Sequence, residues 1–296
     1  MNMKTLYFLF LFCMVYLSEA QTLVVLGTLQ DGGSPHMGCL ESCCATERPN
    51  DYVVSLGVID ESKHFLFDAS PDIVSQTNYL QSISTAKELE IFLTHAHMGH
   101  YVGLIHLGRE SANSKKTPVY AMPRMAKFLQ SNGPWSQLIS LENISIQPIQ
   151  NKTPVFVSPR MTVTPLVVPH RDEFSETVGY LIAGQSKSAL YVPDIDKWDL
   201  WDIDINILVT QVDYAFIDAT FFEDGEISRP MSEVPHPFVE ESITRFKSLA
   251  IEEKNKIYFI HLNHTNPARD PVYEGRIAIE KKGYRFATFG MRFSLE

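Results

Sequence analysis

The chain has 296 residues, of which 45% are hydrophobic and 20% are charged. This composition is typical of a globular protein and excludes a disordered or fibrous one. The 25 Lys and Arg against 35 Asp and Glu give a formal net charge of −10, and the basic residues form no polybasic run. We therefore expect no nucleic-acid partner, because phosphate binding depends on clustered cations.

The first twenty residues differ from the rest of the chain. Lys4 precedes an unbroken apolar run over residues 6–17, and small or polar residues follow up to Ala20. This pattern predicts a secretory signal peptide over residues 1–20, since the run is short for a bilayer span. A retained N-terminal anchor is the alternative. We expect an exported protein, periplasmic or secreted, with no membrane span after signal removal.

Apolar runs separated by turn residues predict alternating strands and helices along the rest of the chain. The predicted strands are residues 23–27, 53–59, 64–68, 90–94, 118–122, 144–149, 161–169, 178–183, 189–193, 212–218 and 256–261. The predicted helices are residues 71–83 (with Ser70 as N-cap), 99–110, 123–132 and 237–253, the last being the longest. One strand-rich half with helices follows another, which suits two sheets between helices. Without a linker-like stretch, residues 21–296 are predicted to form a single domain.

Three histidines lie within six positions of one another. The segment Thr94-His-Ala-His-Met-Gly-His100 follows a predicted buried strand and begins a predicted helix. Side chains alternate along an extended segment, so His95 and His97 face the same side, and His100 enters from the helix. Three converging imidazoles predict a zinc or iron site. A polar loop that merely collects histidines is the alternative.

The segment THAHMGHYVG resembles the THxHxDHxxG signature of the metallo-β-lactamase superfamily. Four further residues match that family's pattern in the same order along the chain, each closing or following a predicted strand: Asp68, His170, Asp194 and His261. The resemblance implies an α/β (α+β) protein with the αββα sandwich, in which two mixed sheets are flanked by helices. It also implies a metal site at one edge, between the sheets.

The resemblance implies a role for each matching residue. It assigns a first metal to His95, His97 and His170. It assigns a second metal to His100, Asp194 and His261, with Asp194 bridging the two. Asp68 would orient the histidine loop, although an ordinary turn or capping aspartate is the alternative. The predicted catalytic residues are Asp194, His261 and Asp68.

One or two active-site metals are therefore expected, as Zn²⁺ or, alternatively, Fe or Mn. Such metals lower the pKa of a bound water and polarise the bond to be cleaved. The sequence departs from the family at Gly99, where the family has an aspartate that binds the second metal and handles a proton. The second site is expected to keep at most three protein ligands. This puts ordinary hydrolysis in doubt and admits a mononuclear site or iron chemistry.

A second group of potential ligands lies near the N-terminus. Cys39, Cys43 and Cys44 form an odd, tightly clustered set, which is a poor disulfide framework and favours a metal site. The set resembles a branch of the superfamily with a cysteine-bound zinc, which includes the coenzyme PQQ synthesis protein B family and a cyclic phosphodiesterase of phosphonate breakdown. There the spacing is CxCxxC, and the fourth ligand matches His264. The resemblance implies a closed Cys₃His structural zinc; free buried thiols are the alternative.

Three functions remain open from the sequence. The first is an exported metal-dependent hydrolase acting on a small-molecule phosphodiester or other ester. The second is an oxidative enzyme that holds iron in the same pocket, as the resemblance to the PQQ branch allows. The third is a non-catalytic, metal-bound binding protein, which is favoured if Gly99 has removed catalysis. The identity of the metal distinguishes the first two.

Overall fold

The computed structural model describes residues 20–45, 48–227, 230 and 233–296. The predicted signal peptide, apart from Ala20, lies outside the described residues. Within these ranges no helix has the length and apolar character that crossing a bilayer requires.

The described residues form fourteen strands and eight α-helices. The strands are β1 (Thr22–Gly27), β2 (Ser55–Asp60), β3 (Lys63–Phe67), β4 (Glu88–Phe92), β5 (Thr117–Ala121), β6 (Ile144–Pro148), β7 (Val155–Ser158), β8 (Met161–Val167), β9 (Val178–Ala183), β10 (Ser188–Val192), β11 (Tyr214–Asp218), β12 (Ile257–Ile260), β13 (Arg285–Phe286) and β14 (Arg292–Ser294). The helices are α1 (Ile73–Ile83), α2 (Met98–Tyr101), α3 (Pro123–Ser131), α4 (Trp135–Ser140), α5 (Ile205–Thr210), α6 (Val239–Arg245), α7 (Ile251–Lys254) and α8 (Glu274–Glu280).

The strands make two seven-stranded sheets. The first has the order β14-β1-β2-β3-β4-β5-β6 and the second β13-β12-β11-β10-β9-β8-β7. Each sheet is mixed, because β3 to β6 and β10 to β13 pair in parallel whereas their other neighbours pair antiparallel. The expected pair of mixed sheets is confirmed.

Three apolar layers hold the sheets and helices together. Strand β1 shows why, because successive side chains point to opposite faces of a strand. Leu23 and Val25 pack into the layer between the sheets, with Phe67 and Tyr180. Val24, from the other face of β1, packs into the layer under the helices of the first sheet. A third layer covers the outer face of the second sheet. The order is helices, sheet, sheet, helices, so the αββα sandwich is confirmed.

Two predicted helices are shorter than expected. Residues 237–253 form α6 and α7, because the chain turns after the buried Phe246 and is extended at Ala250. Residues 99–110 form the single turn α2 followed by a 3₁₀ helix, Val102–Leu107, which contains Gly103. The Gly103 amide donates to the Ala69 carbonyl at 2.9 Å, so the loop after β3 fixes the path of this segment. Helix α1 begins at Ile73, two residues later than predicted.

The carboxyl ends of the parallel strands bring the polar residues together. Asp68 follows β3 and the histidine segment follows β4, which are parallel neighbours in the first sheet. Asp194, Asp218 and His261 follow or end β10, β11 and β12, which are parallel neighbours in the second. Leu29 forms β-bridges with both Val53 and Leu262, so the loop after β1 joins the two sheets at this edge.

Candidate metal centre

The histidine segment is anchored from below by Asp68. The Thr94 amide donates to Asp68 Oδ1 at 2.8 Å, and His100 Nδ1 is hydrogen-bonded to Asp68 Oδ2 at the same distance. The Tyr191 hydroxyl, from the second sheet, donates to Asp68 Oδ2 at 3.2 Å. Asp68 is fully buried and has a φ of 71°, a left-handed conformation that aspartate adopts more readily than most residues. It therefore joins the segment to both sheets.

A first set of donor atoms surrounds Asp194. Its Oδ2 lies 3.2 Å from His95 Nε2, 3.2 Å from His170 Nε2 and 3.8 Å from His97 Nδ1. His170 Nε2 is also 3.2 Å from His97 Nδ1. The donor atoms of these four residues lie within 4.8 Å of one another. Nitrogen and carboxylate donors at this spacing suit zinc, manganese or iron.

A second set lies on the other side of the same carboxylate. His100 Nε2 and His261 Nε2 are each 4.0 Å from Asp194 Oδ2. Asp31 Oδ1 is 3.1 Å from His100 Nε2, and donor atoms of Asp31, His100 and His261 lie within 4.8 Å of one another. Asp194 Oδ2 thus faces both sets of donors.

Each imidazole is held through the nitrogen that faces away from the centre. The partners are Thr94 Oγ1 for His95 (2.9 Å), Glu173 for His97 (3.2 Å), Asp68 for His100 (2.8 Å), Asp196 for His170 (2.9 Å) and Thr220 Oγ1 for His261 (2.8 Å). Such outer hydrogen bonds fix the ring orientation of metal-binding histidines. They leave one nitrogen of each ring pointing toward Asp194.

The inward atoms have the character of metal ligands. Among the described residues, His95 Nε2, His100 Nε2, His261 Nε2, Asp31 Oδ1 and Asp194 Oδ1 are buried and make no hydrogen bond. A buried polar atom without a partner is costly, and nearly all such atoms in folded proteins are satisfied. These unsatisfied atoms belong to the two sets of donors around Asp194, an arrangement that fits bound cations. The residues present therefore suit the metals that the sequence predicts.

The charges of the centre also fit bound metal ions. In the described part of the chain, the ion pairs of Asp31, Asp68, Asp194 and Asp218 are all with histidines. Burial alone would raise the pKa of Asp194, but His170 and His236 hold that pKa well below its usual range. Burial would lower the pKa of His170, yet Asp194 and Asp196 raise it to about 10. Buried anions thus require positive charge here, which protons or metal ions can supply.

The three cysteines lie together, away from this centre. The sulfurs of Cys39, Cys43 and Cys44 lie within 4.8 Å of one another. His264 is not in that group: its ring stacks on His36, with ring centroids 4.1 Å apart, although it lines one cavity with Cys43. The structure thus brings together three of the four predicted ligands, and the Cys₃His site stays a prediction.

A family model described as the β-lactamase superfamily domain matches residues 63–262, the range that runs from the start of β3 to just after His261, which follows β12. The chain belongs to the metallo-β-lactamase superfamily.

Relatives within this superfamily match almost the whole chain. Coenzyme PQQ synthesis protein B from Methylorubrum extorquens (strain PA1) is 24% identical over 304 residues, covering 92% of this chain and 99% of the relative. Among solved structures, Zn²⁺-bound PqqB from Methylobacterium extorquens has a TM-score of 0.74 at 21% identity, covering 92% of this chain and 99% of that one. A diphosphatase from the PhnP family has a TM-score of 0.63 at 20% identity, covering 93% and 97%.

The superfamily pattern named six metal-binding residues, and the structure places all six around one point. Three further residues lie in these donor groups and were not predicted: Asp31, Asp218 and His236. Asp31 comes from the loop after β1, and its only sequence signal was indirect, because the aspartate missing at Gly99 left the second site short of a ligand. Asp218 ends β11. His236 comes from the segment before α6, where no motif or spacing marks it.

His236 and Asp218 form a buried pair beside the metallo-β-lactamase centre. His236 Nδ1 is 2.9 Å from Asp218 Oδ2 and 3.2 Å from Asp194 Oδ1. Asp218 Oδ1 accepts from the amide and hydroxyl of Thr220, which in turn contacts His261. Because both carboxylates face Nδ1, the Nε2 atom of His236 is left for another partner.

Proposed function

We propose that this protein is an exported metal-dependent hydrolase that cleaves a small-molecule phosphodiester or other ester. The observation that carries the proposal is the position of Asp194 Oδ2, which faces His95 and His170 at 3.2 Å and His100 and His261 at 4.0 Å. One carboxylate between two histidine sets supports a two-metal arrangement. The likeness to a PhnP-family diphosphatase supports phosphate-ester chemistry.

The residues of such a centre would have different roles. His95, His97 and His170 would hold one metal, and Asp194 would bridge to the second. Bound metals supply a water of lowered pKa and Lewis-acid polarisation of the bond to be cleaved. Asp68 keeps the histidine segment in place, and Asp196 orients His170. His236 would help to hold the bridging carboxylate, because its Nδ1 atom lies 3.2 Å from Asp194 Oδ1.

A second candidate is an oxidative enzyme with iron in the same pocket, which the resemblance to the PQQ branch allows; relatives named coenzyme PQQ synthesis protein B match 92% of this chain. Histidine and carboxylate donors without thiolates are compatible with iron as well as zinc. Elemental analysis of the purified protein separates the two. Zinc or manganese with turnover of bis(p-nitrophenyl) phosphate supports the hydrolase, whereas redox-active iron without ester cleavage supports the oxidative enzyme.

His95→Ala tests the hydrolase proposal directly. We expect a loss of hydrolytic rate of about 100-fold or more, since even an outer hydrogen-bond partner of a metal ligand is worth about 10–100-fold. Metal analysis should show the loss of active-site metal with the cysteine-bound metal retained. His106→Ala is the matched control, since His106 lies in the 3₁₀ helix, outside the donor groups. Unchanged metal content and rate in His95→Ala would contradict the proposal.

A further inference from the structure

Asp31 lies in the space that a side chain at Gly99 would fill. A Cβ atom built at Gly99 would be 2.2 Å from Asp31 Oδ1 and 2.7 Å from Asp31 Cα. No real Cβ approaches another heavy atom so closely, and the Cα belongs to backbone that cannot swing aside. Any residue other than glycine at position 99 therefore has to displace Asp31 and its loop.

The carboxylate of Asp31 is directed at the metal centre. Its Oδ2 accepts from Gln30 Nε2 at 3.1 Å, whereas its buried Oδ1 makes no hydrogen bond among the described residues. That Oδ1 is 3.1 Å from His100 Nε2, and it lies within 4.8 Å of the donor nitrogen of His261. Both nitrogens are themselves buried without a hydrogen bond. The unsatisfied oxygen and the two unsatisfied nitrogens thus converge on one position.

The backbone before Asp31 is hydrogen-bonded to Leu262, the residue after His261. The Gln30 amide donates to the Leu262 carbonyl at 2.9 Å, and the Leu262 amide donates to the Thr28 carbonyl at 2.8 Å. The Gly33 amide closes a turn on the Gln30 carbonyl at 2.8 Å. Backbone hydrogen bonds on both sides of Asp31 therefore hold it at the centre.

We propose that Asp31 is the terminal carboxylate ligand of the second metal, in exchange for the aspartate that the superfamily motif has at position 99. This inference rests on the proposed two-metal centre. The second site then has Asp31, His100, His261 and the bridging Asp194, four protein ligands rather than the three expected from the sequence. Gly99 is the residue whose missing side chain makes room for the exchange.

The first test counts metals in the full-length protein after it has been equilibrated with Zn²⁺ and desalted. Asp31→Ala and Asp31→Asn are expected to lose one equivalent, or to bind the second Zn²⁺ at least about 10-fold more weakly. The first metal and the cysteine-bound metal should remain. Asp199→Ala is the matched control, because Asp199 is exposed and pairs with Arg245 on the surface. Retention of the second Zn²⁺ with unchanged affinity in Asp31→Ala would overturn the inference.

The second test uses substitutions that separate the charge of Asp31 from its shape. Gly99→Asp is expected to lower the melting temperature and the Zn²⁺ content, because its Cβ would overlap both the carboxylate and the Cα of Asp31. Asp31→Asn keeps the shape of the side chain and removes its charge, so it decides the matter if Asp31→Ala folds poorly. Asp31→Asn that retains the second Zn²⁺ with unchanged affinity would overturn the inference, since Asp31 would then act only by shaping its loop.

Hydrolysis assays separate this inference from the function on which it rests. If His95→Ala removes metal and activity while Asp31→Ala keeps both metals, the inference is wrong and the hydrolase stands. A different outcome is that wild-type protein binds both metals, Asp31→Ala binds one fewer, and neither cleaves a phosphodiester or ester. The ligand assignment then stands and the proposed hydrolase activity is wrong. Wild-type protein that holds no second Zn²⁺ outside the cysteine group would overturn the inference.

Discussion

Single residues decide whether the centre is rigid, and Asp68 shows this most clearly. It accepts hydrogen bonds from the Thr94 amide, His100 and Tyr191, which come from three different elements. The family pattern identified the residue, but its partners depend on how the two sheets stack. No periodicity in the sequence could have given them.

Asp68→Ala is expected to lower the free energy of unfolding by about 3 kcal/mol or more, because it leaves the buried Thr94 amide and Tyr191 hydroxyl without an acceptor and removes the charged partner of His100. Urea denaturation of the metal-free protein measures this, and Zn²⁺ affinity should fall together with stability. Asp199→Ala, on the exposed surface, should change the unfolding free energy by less than about 0.5 kcal/mol. Equal stability of Asp68→Ala and wild type would show that the anchoring argument is wrong.

The residues of the centre differ in how readily they could be predicted from the sequence. His95, His97 and His100 were found from local spacing alone, because a strand end and a helix start bring them together. His170, Asp194 and His261 required the order of the superfamily pattern, since each is unremarkable by itself. Asp31 escaped both, because the contact between two distant loops has no local signature.

At the scale of elements, the short α2 and the 3₁₀ helix after it carry His100 and press against the loop after β3. Gly103 is the point of contact. A Cβ at this position would lie 2.1 Å from the Ser70 carbonyl oxygen, so the two segments can approach only without a side chain. The prediction of one continuous helix over residues 99–110 did not take this packing into account, because helical propensity does not depend on contacts with a neighbouring loop.

Gly103→Ala is therefore expected to push the His100 segment away from Asp68. We expect a loss of stability of about 2 kcal/mol or more and weaker binding of Zn²⁺ at the second site. Gly133→Ala is the matched control, because a methyl group there meets nothing within 4 Å. Thermal unfolding and Zn²⁺ titration of both variants measure the difference. If the two variants behave alike, the close contact does not position the segment.

At the scale of the whole molecule, the centre joins the sheets. Asp68 and the histidine segment belong to the first sheet, whereas Asp194, Asp218 and His261 belong to the second. The order of strands and helices in the sequence suits two sheets between helices, and the resemblance to the superfamily implied the αββα order. Metals held between the sheets should act as cross-links of the folded state.

Removal of metal is expected to lower the melting temperature by about 5 °C or more. A ligand that binds only the folded state stabilises it by about 4 kcal/mol at a concentration 1,000-fold above its Kd. Calorimetry in EDTA, followed by addition of Zn²⁺, measures the loss and its recovery. His95→Ala should show a smaller response to EDTA than wild type. An unchanged melting temperature in EDTA would argue against metals between the sheets.

The predicted export depends on residues 1–20. If residues 1–20 are a signal peptide, the exported protein should begin at Gln21. Intact-mass and N-terminal sequence analysis of protein recovered outside the cytoplasm measure this directly. A protein that keeps Met1 and sediments with membranes would instead favour a retained anchor.

The contact between Gly99 and Asp31 also constrains how the sequence can change over generations. Two carboxylates do not fit, and two small residues leave the second metal without its terminal ligand. A substitution at either position alone therefore gives a protein with weaker metal binding or lower stability. The two positions are expected to change together. Among relatives, an aspartate at position 31 should accompany a glycine at position 99, and lineages that have an acidic residue at neither position should have lost the second metal.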